Sequence, residues 1–256
     1  MTLLIDVGNS AVKWAVLAEH GRFAASGHVL HRGGADVVAG LATAWKAIAP
    51  PGRAVGCSVA AAAVTQAIEG AVRALGVPGV EWLRSQASFS GAFALTSGYL
   101  DPEQLGADRW HALLGACERL PGASLVVANA GTATTVDCVR VTAGAAHFVG
   151  GCIAPGVRLM LESLARGTAG LPLAVGAPID FPDTTDKAIV TGVFDAQAGL
   201  VERVWKRFAA SIDTPPRLLL AGGHAALLAS RLPPDLAPVI EHNLVLRGLA
   251  LRASAR

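Results

Sequence analysis

The chain has 256 residues, 52% hydrophobic and 16% charged, with 29 Gly and 14 Pro, which reads as a soluble globular protein able to bury a large core. With 21 Lys and Arg against 19 Asp and Glu the net charge is only +2, so no general attraction to nucleic acid or anionic lipid is expected. No apolar stretch is long enough to span a bilayer, and the first apolar run has no basic leader and carries Asp6, which argues against a secretory signal. Cys57, Cys117, Cys138 and Cys152 are scattered without metal-ligand spacing, as expected of reduced thiols in a cytoplasmic protein without structural zinc.

Leu3 to Leu17 forms two apolar runs around Gly8-Asn9-Ser10, the pattern of a β-hairpin. Asp6 ends the first run, where a carboxylate has to be paired, hydrated or metal-bound. Gly8 allows close backbone approach, Asn9 and Ser10 add short donors, and Lys13 adds a positive charge. These are the parts of a phosphate-cradling turn with a magnesium-facing acid, although a solvent-facing polar turn has the same composition.

A short strand and a loop through His31-Arg32-Gly33-Gly34 follow, then a helix over 36–48 with Asp36 as N-cap and Pro50-Pro51 as stop. The spacing predicts a buried strand over 54–60, a helix over 64–75 and a strand over 80–83, and this alternation argues for an α/β fold. The stretch 85–98 reads as a loop leading to Tyr99 and to Gly106-Ala107-Asp108-Arg109, at or just before the first turn of a helix over 112–120.

Leu125 to Val139 is a second hairpin-like unit that can be laid on the first without a gap. Asn129 then falls on Asp6, Gly131 on Gly8 and Thr132 on Asn9, as in a chain built from two similar halves. Gly150 to Gly156 reads as a turn opening a helix over 157–165. Thr184-Thr185-Asp186 caps the longest helix, 187–209; a strand over 217–221, a Gly222-Gly223 turn, a helix over 225–232 and a tail helix over 243–252 complete the chain.

The motifs DVGNS at Asp6, GADRW at Gly106, GTATT at Gly131, GGCIAPG at Gly150, TDKAIVTG at Thr185 and AGG at Ala221 occur in the order and spacing of the type III pantothenate kinases. The chain resembles that family, also called Bvg accessory factors, over essentially its whole length. The resemblance implies a duplicated RNase H-like α/β architecture of the actin, Hsp70 and sugar-kinase superfamily, with halves at 1–115 and 116–256 and an ATP cleft between them. It also implies a homodimer that phosphorylates pantothenate with ATP and Mg2+ in the first step of coenzyme A synthesis.

By the same resemblance the ATP and phosphate residues are Asp6, Val7, Gly8, Asn9, Ser10, Ala11, Val12, Lys13, Gly131, Thr132, Gly222 and Gly223, with Asp6 holding Mg2+. Asp108 is the catalytic base, and Tyr99, Gly106, Ala107, Asp108 and Arg109 form the pantothenate site, completed by Thr185 of the neighbouring subunit. Read locally, Asp108 and Thr185 could equally be helix caps, Arg109 a surface ion pair and Tyr99 a core aromatic. Asn129 departs from the family's usual aspartate at the monovalent-cation position for K+ or NH4+, keeping an oxygen ligand but losing the charge. That departure keeps a second reading open, a nucleotide-binding regulatory protein of the same fold with little turnover. A sugar or acetate kinase of the superfamily is the third, against which the Gly-x-Asp-Arg motif after Tyr99 argues.

Overall fold

The protein is described by a computed structural model covering residues 1–254. The chain forms two compact units: Met1–Arg119 together with the segment from Asn243 on, and Leu120–His242.

In the first unit β1 (Thr2–Val7), β2 (Ala11–Leu17), β3 (Phe23–Leu30), β4 (Arg53–Ser58) and β5 (Val80–Trp82) form a sheet in the order β3-β2-β1-β4-β5. The β1-β2 and β2-β3 pairs are antiparallel; β1-β4 and β4-β5 are parallel. Side chains alternate across a strand, and the alternation here is apolar on both faces. Leu3, Ile5, Val7, Val12, Trp14 and Val16 pack on Val37 and Leu41 of α1 (Gly34–Ala44) and on Val64, Ile68 and Val72 of α2 (Ala62–Ala74). Leu4, Ala15, Leu17, Val55 and Cys57 face the other way, onto Leu246 and Leu249. Each fully buried aliphatic side chain contributes roughly 1.5–3 kcal/mol, so both faces are held firmly.

The second unit repeats this plan. Its strands β8 (Leu125–Ala130), β9 (Ala133–Thr142), β10 (Ala145–Pro155), β11 (Arg217–Ala221) and β12 (Val239–Ile240) run in the order β12-β11-β8-β9-β10. The β8-β9 and β9-β10 pairs are antiparallel, and β8-β11 and β11-β12 parallel, the same sequence of pairings as in the first unit. Val126, Ala128, Ala130, Val136 and Cys138 pack on Ala198, Val201, Val204 and Phe208 of α5 (Thr185–Ala209) and on Ala225 and Leu228 of α6 (Ala225–Ala229). Val157 of α4 (Val157–Gly167) joins Ile189, Val190, Val193 and Phe194 of α5 in a further cluster.

Several expectations are corrected. The stretch 85–98 contains β6 (Ser88–Ser90) and β7 (Ala94–Ser97), an antiparallel pair in which buried Phe89 faces buried Leu95. Strands this short and rich in Ser leave no readable period. Gly150 to Gly156 is almost wholly strand, since β10 stays paired with β9 from Gly150 through Pro155 beyond a bulge at Phe148. Helix α1 begins at Gly34, so Asp36 lies inside its first turn, and the helix ends at Ala44, well before the prolines. The cap of α5 is Thr184, whose hydroxyl accepts from Lys187 N, and Thr185 is the first helical residue.

The tail also differs from the expected halves. Helix α7 (Leu244–Ser254) lies against α3 (Ala107–Arg119) in the first unit. A Cβ on Gly115 would collide with the Leu244 carbonyl, and one on Gly248 with the His111 carbonyl, so two glycines let the helix backbones touch. Among the described residues no helix is long and apolar enough to cross a membrane, and all four cysteines carry free thiols.

Candidate active site

In the first unit the β1-β2 connection is a three-residue loop, Gly8 to Ser10, closed by Gly8 N donating to Ala11 O at 2.9 Å. Asp6 stands opposite Lys13 across the antiparallel ladder and opposite Cys57 across the parallel one. Directly opposed residues share a face, so the Lys13 ammonium stabilises the Asp6 carboxylate. Burial outweighs it: Asp6 is 8% exposed, and its carboxyl is pushed from 3.8 to about 6 by desolvation, with the Asp108 charge adding to the rise. The Cys57 thiol donates a weak hydrogen bond to its Oδ1 at 3.9 Å. A buried carboxylate so poorly compensated is suited to Mg2+, which takes one or two carboxylates and completes its shell with phosphate and water. Among the described residues no cluster of three or more His, Cys, Asp or Glu is arranged to hold a metal ion.

Asp108 and Arg109 lie in the first turn of α3. The approach to that helix is fixed by Asp101, which accepts from Glu103 N at 3.0 Å, and by Ser85, whose hydroxyl donates to Leu105 O at 2.6 Å. Gly106 makes room for the acid: a Cβ there would meet Asp108 Oδ1 at 2.6 Å. Asp108 Oδ1 accepts from Arg109 N at 2.8 Å, so this carboxylate does satisfy one amide at the helix start. Burial raises the Asp108 carboxyl above the ordinary range, opposed by that bond and by the Arg109 charge. Arg109 is 5% exposed, which excludes a surface ion pair. Its guanidinium donates to the Tyr99 hydroxyl at 3.0 Å and lies 5.7 Å from the centre of that ring. Asp6, Lys13, Asp108, Arg109 and Tyr99 thus all belong to the first unit, with the two acids close enough to feel each other's charge.

The other expected residues belong to the second unit. The β8-β9 connection is one residue shorter than its counterpart, with Gly131 N donating to Ala133 O at 3.2 Å, so the gapless overlay of the two hairpins fails beyond the glycine. Asn129 consequently opposes Thr135, where Asp6 opposes Lys13. Asp137 is buried two residues along β9, on the face that Asn129 and Thr135 share. Gly222 has φ +95°, and a Cβ there would collide with the Ala130 carbonyl, so this turn is held against the end of β8 and requires glycine. Gly223 and Thr185 are exposed. Sequence reasoning missed two residues at the first turn, Cys57 and His31, because strand pairing alone brings them there.

The repeated sheet, each copy with a glycine turn after its first strand, defines a protein of the actin, Hsp70 and sugar-kinase class of folds. Two solved structures agree. The activator of the 2-hydroxyisocaproyl-CoA dehydratase from Clostridium difficile superposes with TM-score 0.57 at 14% identity, over 98% of this chain and 93% of that one. A Sinorhizobium meliloti protein assigned as a 2-dehydro-3-deoxygalactonokinase gives TM-score 0.57 at 15% identity, over 99% of both chains. Within that class, residues 2–207 match the type III pantothenate kinase family, and the type III pantothenate kinase of Laribacter hongkongensis is 42% identical over 98% of this chain and 97% of its own. The chain belongs to the type III pantothenate kinase family.

Proposed function

We propose that this pantothenate kinase transfers the γ-phosphoryl group of ATP to the primary hydroxyl of pantothenate with Asp108 as the base. A kinase of this family uses ATP with Mg2+, and Asp6 would hold the metal, directly or through water. Bound there, the ion would neutralise phosphate charge. The hydroxyl oxygen forms the new P–O bond, the bond to ADP breaks, and the hydroxyl proton passes to Asp108. A carboxyl raised by burial is a stronger base than an exposed one. Arg109 grips the pantothenate carboxylate, with Tyr99 beside it, Gly106 and Ala107 lining the site, and Thr185 added from a second subunit of a homodimer. The residues from Asp6 to Lys13 (Asp6, Val7, Gly8, Asn9, Ser10, Ala11, Val12, Lys13) serve the phosphates, together with Gly131 and Thr132; Gly222 and Gly223 lie along the nucleotide. Asn129 takes part in holding K+ or NH4+, and the enzyme works in the cytoplasm on small molecules, without nucleic-acid or membrane partners.

The observation that carries this reading is the pair of acids Asp6, buried, and Asp108, part-buried, whose carboxyls are both raised by desolvation, each beside one cation, Lys13 or Arg109, with the Asp108 charge felt at Asp6. Family membership does not favour the regulatory alternative. The test is ATP-dependent phosphorylation of pantothenate by purified protein with K+ or NH4+ supplied. A folded, ATP-binding protein inactive with both cations would overturn it.

A further inference from the structure

His31 lies one residue beyond β3 and is 8% exposed. Its backbone N donates to Ser10 O at 3.0 Å, and its ring Nε2 lies 3.1 Å from Gly8 O. A carbonyl only accepts, so Nε2 carries the hydrogen and donates. The other ring nitrogen, Nδ1, is buried with no hydrogen-bond partner among the described residues. An apolar side chain would fill this space without stranding an acceptor, so what the imidazole adds is the bond to Gly8.

That bond sets the direction of a peptide. In a trans peptide the N–H of one residue points opposite to the C=O of the residue before. With Gly8 O drawn to the ring, the Asn9 N–H is turned away from it, on a residue that is exposed. Backbone N–H groups directed outward from such a turn are what an anion binds.

The second unit holds an internal control. Gly156 follows β10 as His31 follows β3, and its N donates to Thr132 O at 3.1 Å, the equivalent of the His31 bond to Ser10 O. There the support is backbone packed directly on the turn: a Cβ on Gly156 would collide with the carbonyls of Gly131 and Thr132. The same position buttresses both turns, by a ring across the longer loop and by bare backbone under the shorter one.

We infer that His31 is a positioning residue for the nucleotide phosphates: its imidazole fixes the Gly8–Asn9 peptide so that the Asn9 N–H is presented to them, without itself touching ATP. The inference rests on the reading of this loop as a phosphate turn. The test is steady-state kinetics and ATP binding by calorimetry for His31→Ala, His31→Asn and His31→Gln, with folding checked by circular dichroism. His31→Ala and His31→Asn raise KM for ATP about tenfold, the size of one lost hydrogen bond, and leave KM for pantothenate within twofold. His31→Gln restores ATP affinity to within about threefold, because its amide nitrogen reaches where Nε2 stands while that of Asn does not. If Ala does not fold, the contrast between Asn and Gln carries the test. Wild-type KM for ATP in the folded His31→Asn protein, or equal increases for both substrates, overturns the inference. Asn9→Pro, which removes the N–H itself, separates the two failures. If it also leaves ATP binding intact, the phosphate-turn reading falls; if it weakens ATP binding while the His31 variants do not, only the His31 inference falls.

Discussion

The two units repeat one fold with a charged pair at one turn and a neutral pair at the equivalent turn. In the first, Asp6 faces Lys13 across the ladder and its carboxyl is raised by burial. In the second, Asn129 faces Thr135 and no formal charge stands on that pair. The first turn is longer and supported by an imidazole; the second is shorter and rests on Gly156. A duplicated scaffold therefore does not duplicate its chemistry. The first copy keeps its acid at the end of the strand that leads into the turn, while the second has an amide there, its buried acid Asp137 two residues along β9, and a turn packed closely on Gly156.

Asp108→Asn should have the largest effect, since it removes the proposed base while leaving both turns untouched. We expect kcat to fall by about 10³-fold with ATP binding retained, measured by a coupled assay and calorimetry. Turnover near wild type would take Asp108 out of that role.

Acid sensitivity comes next, and it too is placed in the first unit. His111, fully buried, donates from Nδ1 to Ala107 O at 2.7 Å, and burial pushes its imidazole from 6.5 down to about 4. The unfolded chain takes up this proton first, so the contribution is complete above pH about 6.5 and is lost as pH falls toward about 4, by up to about 3 kcal/mol. Asp6 runs the other way between 3.8 and about 6, because its folded form holds the proton more tightly. The two slopes oppose, so the measurement is the stability difference between wild type and His111→Gln by urea unfolding across that range. A difference independent of pH would contradict the assignment.

Asp6→Asn converts the first turn to the chemistry of the second. Turnover should drop about 10²-fold through loss of a charged metal ligand. In the metal-free protein at pH 8 the melting temperature should rise, because a buried carboxylate is replaced by a neutral amide; the gain is up to about 3 kcal/mol. Loss of both activity and stability would show that the carboxylate is structurally compensated after all.

The smallest effect is expected of the converse change, Asn129→Asp, which gives the second turn a charge. The concentration of K+ or NH4+ needed for half-maximal activity should fall by a few-fold, from one added charge at a partly exposed site. An unchanged cation requirement would remove Asn129 from that site.

Much of this was legible in the chain because it is local. The glycine turns after apolar runs, the offset acid Asp6, the Asp108-Arg109 pair at a helix start and the overlay of Asn129 on Asp6 all lie within short windows, where side-chain period and turn chemistry carry the signal. The α/β alternation and the repeat followed from the same patterns. The one-residue difference between the turns did not, because it is a property of strand register.

Tertiary structure decided which distant groups meet at those motifs. Parallel pairing of β1 with β4 sets Cys57 beside Asp6, and the step past β3 carries His31 under Gly8. The backbone contact permitted by Gly115 and Gly248 takes the tail helix into the first unit. Sequence fixes the period of each element, but the register between elements depends on how all of their apolar faces are buried together. The residues that tune Asp6 and aim the first turn are set at that level.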